Sequence, residues 1–444
     1  MHDDLVSAVD ELFPGIRSDL ESLIRIPSVS APGFDPGEVR RCATAVVELM
    51  KDAGMSHTRL LEVDGAHPAA FGEMAGPPGA ATVLLYAHHD VQPPGPAGDW
   101  ATPPFQPTER NGRLYARGSS DDKAGILVHL GALRVFGGRP PVGIKIIVEG
   151  EEEIGSPHLN RFLERYRELL AADVIVIADS ENWRVGRPAL TTSLRGLADC
   201  IIEVRSLEAG VHSGQFGGAV PDALTVLCRT LATLHDAEGN VALPGLTSRD
   251  ADPLDLTEVE LRRQAGVLPG TQLIGKGSVT ARTWTMPAVS VLAIDSPPVA
   301  EAINQLVPAA RAKVSLRLAP GDDPQRALDA LVAHLAANVP WGAEATITPG
   351  SAGAPIALDA QGPAYDAFRQ AFAEAWGAET VDIGVGGSIP FVAEFQQVYP
   401  DAAILLTGVA DPTSRAHGPD ESLDLDELRR GILAEAIALR LLAG

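Results

Sequence analysis

Cysteine is scarce in this sequence: 444 residues hold three, Cys42, Cys200 and Cys228, far apart and with no CxxC pair. That excludes a disulfide-stapled secreted scaffold and fits a reduced cytoplasmic protein. Long apolar runs are also missing, since no segment approaches about 18 uninterrupted apolar residues. The start, MHDDLVSAVDELFPGI, has no basic segment leading into an apolar one, so neither a signal peptide nor a membrane span is expected. Basic residues are too few to balance the acids, with 35 Lys and Arg against 58 Asp and Glu and a formal net charge of −23 spread along the chain. Nucleic acid and anionic membrane are therefore poor partners. Internal repeats and low-complexity segments are absent beyond short Pro/Gly loops.

What the chain does have is enough apolar sequence for a large core: 45% hydrophobic and 21% charged residues, in a length that suits two domains better than one. The first part alternates helical and strand patterns. EVRRCATAVVELMKDAG (38–54) and KAGILVHLGALRVFG (123–137) have helical apolar spacing, as does HLNRFLERYRELLA (158–171), while ATVLLYA (81–87), VGIKIIV (142–148) and DVIVIA (173–178) are short apolar strands. Such βαβ alternation predicts an α/β domain, a mostly parallel sheet with helices on both faces. The pattern changes near TTSLRGLADCIIEVRS, where 198–205 reads as an alternating strand, followed by helices near 221–234 and 323–337 and a strand at 312–320. A Gly/Pro/Ser-rich linker is expected at TPGSAGAPI (348–356), before the strand AAILLT (402–407) and the helix DELRRGILAEAIALRLL. The expected organisation is a discontinuous α/β domain, 1–192 and 350–444, interrupted by an α+β domain over 193–349.

Ligand-type residues gather where the strands end. ATVLLYA runs into His88, His89 and Asp90; VGIKIIV runs into EGEEEIGS, with four glutamates in five positions; DVIVIA runs into Asp179, Ser180 and Glu181; and AAILLT is followed after a loop by RAHGPDE with His417. RGSSDDKAG adds Asp121 and Asp122 just before a helix. In an open parallel sheet, ligands sit in the crevice outside the strand C-termini. Taken singly, Asp-Asp before a helix is an N-cap and EGEEE a solvated loop; four such clusters at the mouths of apolar strands point instead to one site. Two imidazoles with several carboxylates suit zinc, and manganese or cobalt also fit. So many acids in one crevice need cations to neutralise them, and a pair of ions about 3.5–4 Å apart is a recurrent hydrolytic centre. His57, His67, His129, His158, His235 and His334 read as core or surface residues.

YAHHDVQPP, YARGSSDDKAG, EGEEEIGS, VIADSENW, GVHSGQFGG, GGSIP and RAHGPDES, in this order and over nearly the whole chain, resemble the dinuclear-zinc metallopeptidases. That family includes cytosolic and carnosine-type dipeptidases, glutamate carboxypeptidase, aminoacylase, acetylornithine deacetylase and succinyl-diaminopimelate desuccinylase. The resemblance implies an inserted domain that serves as lid and dimerisation domain, and two divalent ions per subunit. It implies His88 and Asp179 as ligands of one ion and His417 with Glu153 as ligands of the other. Asp121 is implied as the bridging carboxylate, followed by a cis peptide to Asp122, and Asp90 as the acid that orients His88.

Glu152 is then the general base, acting on a water that bridges the ions, with Glu149 and Glu151 structural or solvated. Sliding the register by one would assign Glu151 and Glu152; the match of EGEEEIGS to the dipeptidase form favours Glu152 and Glu153. His89 occupies a variable position and is not counted as a ligand. His212, in GVHSGQFGG, resembles the histidine that stabilises the oxyanion in the neighbouring subunit's site, which implies a homodimer. Gly386, Gly387 and Ser388 offer a cradle for a substrate carboxylate. An arginine of the inserted domain, Arg311 or Arg317, would clamp that carboxylate.

The function implied is hydrolysis of dipeptides or short peptides with a free C-terminal carboxylate. The alternatives are an N-acyl-amino-acid deacylase or succinyl-diaminopimelate desuccinylase and, more remotely, a catalytically silent binding protein of the same fold.

Overall fold

Four apolar runs, Gly143–Glu149, Thr82–His88, Val174–Ile177 and Ala403–Leu406, lie side by side in that order as the parallel centre of the main sheet. The pairing sets Ala87 opposite Val148 and His88 opposite Glu149, while Tyr86 pairs with Ile177, so the strands finish at one level. Antiparallel strands widen this centre: Ala69–Met74 and then Ser56–Leu61 beyond Gly143–Glu149, and Ala189–Leu194 beyond Ala403–Leu406. The expected α/β class is the one observed. The computed structural model describes residues 2–387 and 390–444.

Alternation along Thr82–His88 sends side chains to both faces, and both are covered. Val83, Leu85 and Ala87 join the core formed with helices Asp3–Ile24, Lys123–Val135 and Leu425–Leu441. Tyr86 points the other way and packs on Phe391 and Phe395 of helix Pro390–Val398, with ring centroids 4.6 Å and 5.5 Å away. Helix Lys123–Val135 is buried without interruption from Lys123 to Leu133, which explains why its sequence is apolar all round. Side-chain caps mark the helix starts: Asp35 accepts from the Gly37 N–H, and Asp424 accepts from those of Asp426 and Glu427. Each such cap is worth about 1 kcal/mol.

The chain divides into two units, Met1–Thr192 with Leu358–Ile383 and Phe391–Gly444, and Ser193–Ala357 with Gly384–Pro390. The second unit is a four-stranded antiparallel sheet in the order Ala288–Asp295, Ala309–Leu318, Gly196–Arg205, Glu344–Gly353. Helices Ala223–Ala232 and Pro324–Ala337 pack on it, burying Cys200, Ile202, Val204, Val314 and Leu316.

Two expectations need correcting. The stretch expected to be a linker is the end of strand Glu344–Gly353, paired with Gly196–Arg205 through an irregular register between Pro349 and Ala352. Proline and glycine are tolerated there because the strand lies at a sheet edge. The second crossing between units accordingly falls at 357/358 rather than 349/350, and the segment Gly384–Pro390 belongs with the inserted unit. The helix expected over 158–171 is two short ones, Leu159–Arg165 and Arg167–Leu170, broken at Tyr166, whose hydroxyl donates to the Glu62 carbonyl. No helix among the described residues is long and apolar enough to cross a membrane.

Candidate metal centre

The level strand ends place the first unit's ligand-type residues within reach of one another. His88 closes its strand, Glu152 and Glu153 lie in the 3-10 turn Glu152–Ile154 after Gly143–Glu149, and Asp179 follows Val174–Ile177. Asp121 precedes helix Lys123–Val135, and the Asp121–Asp122 peptide is cis. Two sets of ligand atoms result, each within 4.8 Å: His88, Glu152 and Asp179, and Asp121, Glu153 and His417.

Asp121 faces both. Its Oδ1 lies 3.1 Å from His88 Nε2 and its Oδ2 3.0 Å from His417 Nε2. His417 Nε2 is also 3.1 Å from Glu153 Oε2, and His88 Nε2 is 3.9 Å from both Glu152 Oε2 and Asp179 Oδ1. Asp90 organises the centre from behind. Its carboxylate is 3.4 Å from His88 Nδ1, while its two oxygens accept from the backbone N–H groups of Glu152 at 3.2 Å and Glu153 at 3.1 Å. The Gln92 N–H donates to Glu153 Oε1 at 3.0 Å, leaving Oε2 buried with no aligned hydrogen bond among the described residues. A carboxylate oxygen so placed, beside His417 Nε2 and grouped with an Asp121 oxygen, fits a divalent cation such as zinc, manganese or cobalt.

The electrostatics of the protein alone point the same way. Burial, reinforced by the charge on Asp121, lifts Glu152 to about 7. Asp179 is pushed well above the carboxylate range by burial and by Glu152, and Glu153 is raised by burial and by Asp121. Burial would also raise Asp121, but hydrogen bonds from His417 and His88 outweigh it and hold the group low. The Asp121 and Glu153 carboxylates beside it lift His417 to about 11. Burial would lower His88, yet its bonds to Asp121 and Asp90 raise it. These are acids and bases waiting for a counter-charge other than a proton.

The other candidates have separate engagements. Glu151 accepts from the His67 N–H and pairs with His158 Nδ1, both at 2.8 Å. Glu149 accepts from the Tyr86 hydroxyl at 2.6 Å and is raised by burial to about 8. His89 is buried against the Pro68 carbonyl, and His129 lies between Glu435 and the Tyr86 carbonyl.

In the second unit, His212 is exposed at the start of the short helix Ser213–Phe216, its Nδ1 accepting from the Gly214 N–H at 3.0 Å. In the neutral ring the proton then sits on Nε2. Arg311 is in an exposed pair with Asp295 at 2.5 Å. Arg317 instead lies close enough to Arg195 to depress it: burial, helped by the charge of Arg317, brings Arg195 down to about 10. Arg195 donates through Nη2 to the Arg282 carbonyl, and its buried Nε has no hydrogen-bond partner among the described residues. Gly386 belongs to the same neighbourhood, since a Cβ there would stand 2.8 Å from the Thr283 carbonyl, while Gly387 has no such constraint. Ser388 lies outside the described residues. Arg195 had no signal in the sequence, being a single arginine in TTSLRGLAD whose neighbours are distant in the chain.

Residues 84–440 match the model of the peptidase family M20/M25/M40, and the chain belongs to that family. It is an enzyme of the metallopeptidase class. It is 36% identical over 400 residues to the cysteinylglycine-S-conjugate dipeptidase of Corynebacterium striatum, covering 88% of this chain and 87% of that protein. It is 27% identical over 464 residues to the Cys-Gly metallodipeptidase of Candida albicans, covering 96% and 94%. Its fold matches human carnosine dipeptidase 1 with a TM-score of 0.84 over 99% of this chain and 98% of that one, at 24% identity.

Proposed function

We propose that the protein hydrolyses the amide bond of dipeptides or short peptides bearing a free C-terminal carboxylate. The observation that carries the reading is the double donor set around Asp121, with one carboxylate oxygen facing each histidine. His88, Asp121 and Asp179 would hold one divalent ion and Asp121, Glu153 and His417 the other. When bound, such ions polarise the scissile carbonyl and bring the pKa of water toward about 7.

Glu152 takes the proton of the attacking water and passes it to the departing amine. Its lift to about 7 by burial suits a group that both accepts and donates near neutrality. Asp90 aims Glu152 and Glu153 by accepting both backbone N–H groups. His212 donates its Nε2 proton to the carbonyl oxygen as negative charge develops there, in the neighbouring subunit of a homodimer. Strand Ala288–Asp295 supports the dimer: it ends its sheet with Val291, Leu292 and Ile294 exposed, an edge that a second copy would cover. Arg317 and Arg195 recognise the substrate carboxylate, with Gly386 in the same neighbourhood. Free Cys42, Cys200 and Cys228 suit a cytoplasmic location.

The names of the relatives favour Cys-Gly and β-Ala-His as the substrate class. A second cation beside Arg317 is also what an N-succinyl substrate, with its extra carboxylate on the acyl side, would need. Because Arg195 and Arg317 feel each other's charge, we take them as one clamp on one carboxylate. Glu152→Gln tests the mechanism. Metal content should persist while turnover falls about 10²–10⁴-fold; undiminished turnover would contradict the role given to Glu152.

A further inference from the structure

RGSSDD and RAHGPDES each contain a residue that the reading above leaves without a task, Arg117 and Glu421. Both are buried, and Arg117 Nη1 donates to Glu421 Oε2 at 2.7 Å. The same carboxylate gathers the loop that carries Asp121. Oε2 accepts from the Gly118 N–H at 3.1 Å; Oε1 accepts from the N–H groups of Ser120 at 3.0 Å and Asp121 at 3.2 Å, and from Ser120 Oγ at 3.2 Å. Five donors on two oxygens define where that loop runs.

Arg117 reaches the other loop, donating through Nη2 to the His417 carbonyl at 3.0 Å and to that of Pro93 at 3.4 Å. The His417 loop needs such an anchor. Arg415, His417 and Asp420 have φ of 57°, 64° and 56°, a left-handed region that strains a non-glycine residue and persists only when the surroundings enforce it. A buried ion pair is by itself weak evidence of stabilisation. This one binds the main chains of two ligand-bearing loops to each other.

We infer that Arg117 and Glu421 are positioning residues that hold Asp121 and His417 together for one ion; this rests on the two-ion reading proposed above. Two of the three donors in the Asp121, Glu153 and His417 set depend on the pair. His88 and Asp179, by contrast, stand at the ends of sheet strands. Disturbing the pair therefore weakens that ion more than the other, which shares Asp121 but not His417.

The test is Co2+ titration of chelator-stripped wild type, Glu421→Gln and Arg117→Lys, followed by visible absorption, together with thermal melting of the metal-free proteins. Glu421→Gln replaces an accepting oxygen by a donor among donors, and Arg117→Lys keeps the charge but not the reach to the His417 carbonyl. Wild type should bind two equivalents. Each variant should weaken one equivalent by about 10–100-fold, the range typical of residues that orient metal ligands, and the other, which shares only Asp121 with the pair, distinctly less. If Glu421→Gln does not fold, Arg117→Lys decides. Two equivalents at wild-type affinity in Arg117→Lys would overturn the inference, as would equal weakening of both that follows a lower metal-free melting temperature, the mark of a merely structural role. A wild type that binds fewer than two would overturn the two-ion reading and this inference with it, and would do so without any substitution.

Discussion

Glu152 and Glu153 are sequence neighbours whose main-chain N–H groups end on one carboxylate, that of Asp90, so that a single buried acid aims both side chains. Glu151 and Glu149, just before them in the chain, are turned into separate hydrogen bonds with His67, His158 and Tyr86. The arginines divide in the same manner. Removing the side chain of Arg195 or Arg317 should raise KM for dipeptides about 10–100-fold, as expected for losing a charge-assisted hydrogen bond. Arg311→Ala should leave KM within about twofold, because an exposed ion pair contributes little. Equal effects at all three positions would place the substrate carboxylate elsewhere. The metal-type residues were legible in the sequence because histidines and acids at the mouths of apolar strands stand out from their surroundings. Arg195 was not, since its significance comes from Arg317 and Arg282, far away in the chain.

Strand ends and the turns after them carry the site, and their charge makes the metal-free fold sensitive to pH. Glu152 and Glu149 ionise in the unfolded chain near 4.5, but in the metal-free fold at about 7 and about 8, chiefly through burial. Between those values the folded state holds protons that the unfolded state releases. The stability contributed by these protonated acids is thus fully present below about 4.5 and is lost as pH rises through about 7 to 8. The melting temperature of metal-free protein should therefore fall between pH 5 and pH 8 more steeply than that of metal-loaded protein. Metal uptake should release protons, seen as a calorimetric heat that varies with the buffer. Parallel pH profiles with and without metal would contradict this. Among the elements, the parallel strands were legible from apolar runs of the right length, as was the helix Lys123–Val135. The edge strand ending in TPGSAG was not, because its ladder partner is distant in sequence and its composition is that of a loop.

The whole molecule is an M20-family enzyme whose first unit holds both sets of metal-type ligands and whose second holds Arg195, Arg317 and His212. If His212 serves the neighbouring subunit, Glu152→Gln and His212→Ala proteins, each nearly inactive alone, should regain activity when dissociated and mixed. A mixed dimer then has one site with an intact Glu152 and a partner's intact His212. No recovery, with mixed dimers demonstrated, would keep His212 within its own subunit's chemistry. The most direct test of the account is amine release by protein stripped with chelator and restored with zinc, manganese or cobalt, against dipeptides including Cys-Gly and β-Ala-His and against N-acyl and N-succinyl amino acids. The account predicts activity abolished by stripping and restored by metal, with dipeptides cleaved in preference. Cleavage that survives stripping, or that is confined to acyl or succinyl substrates, would contradict it.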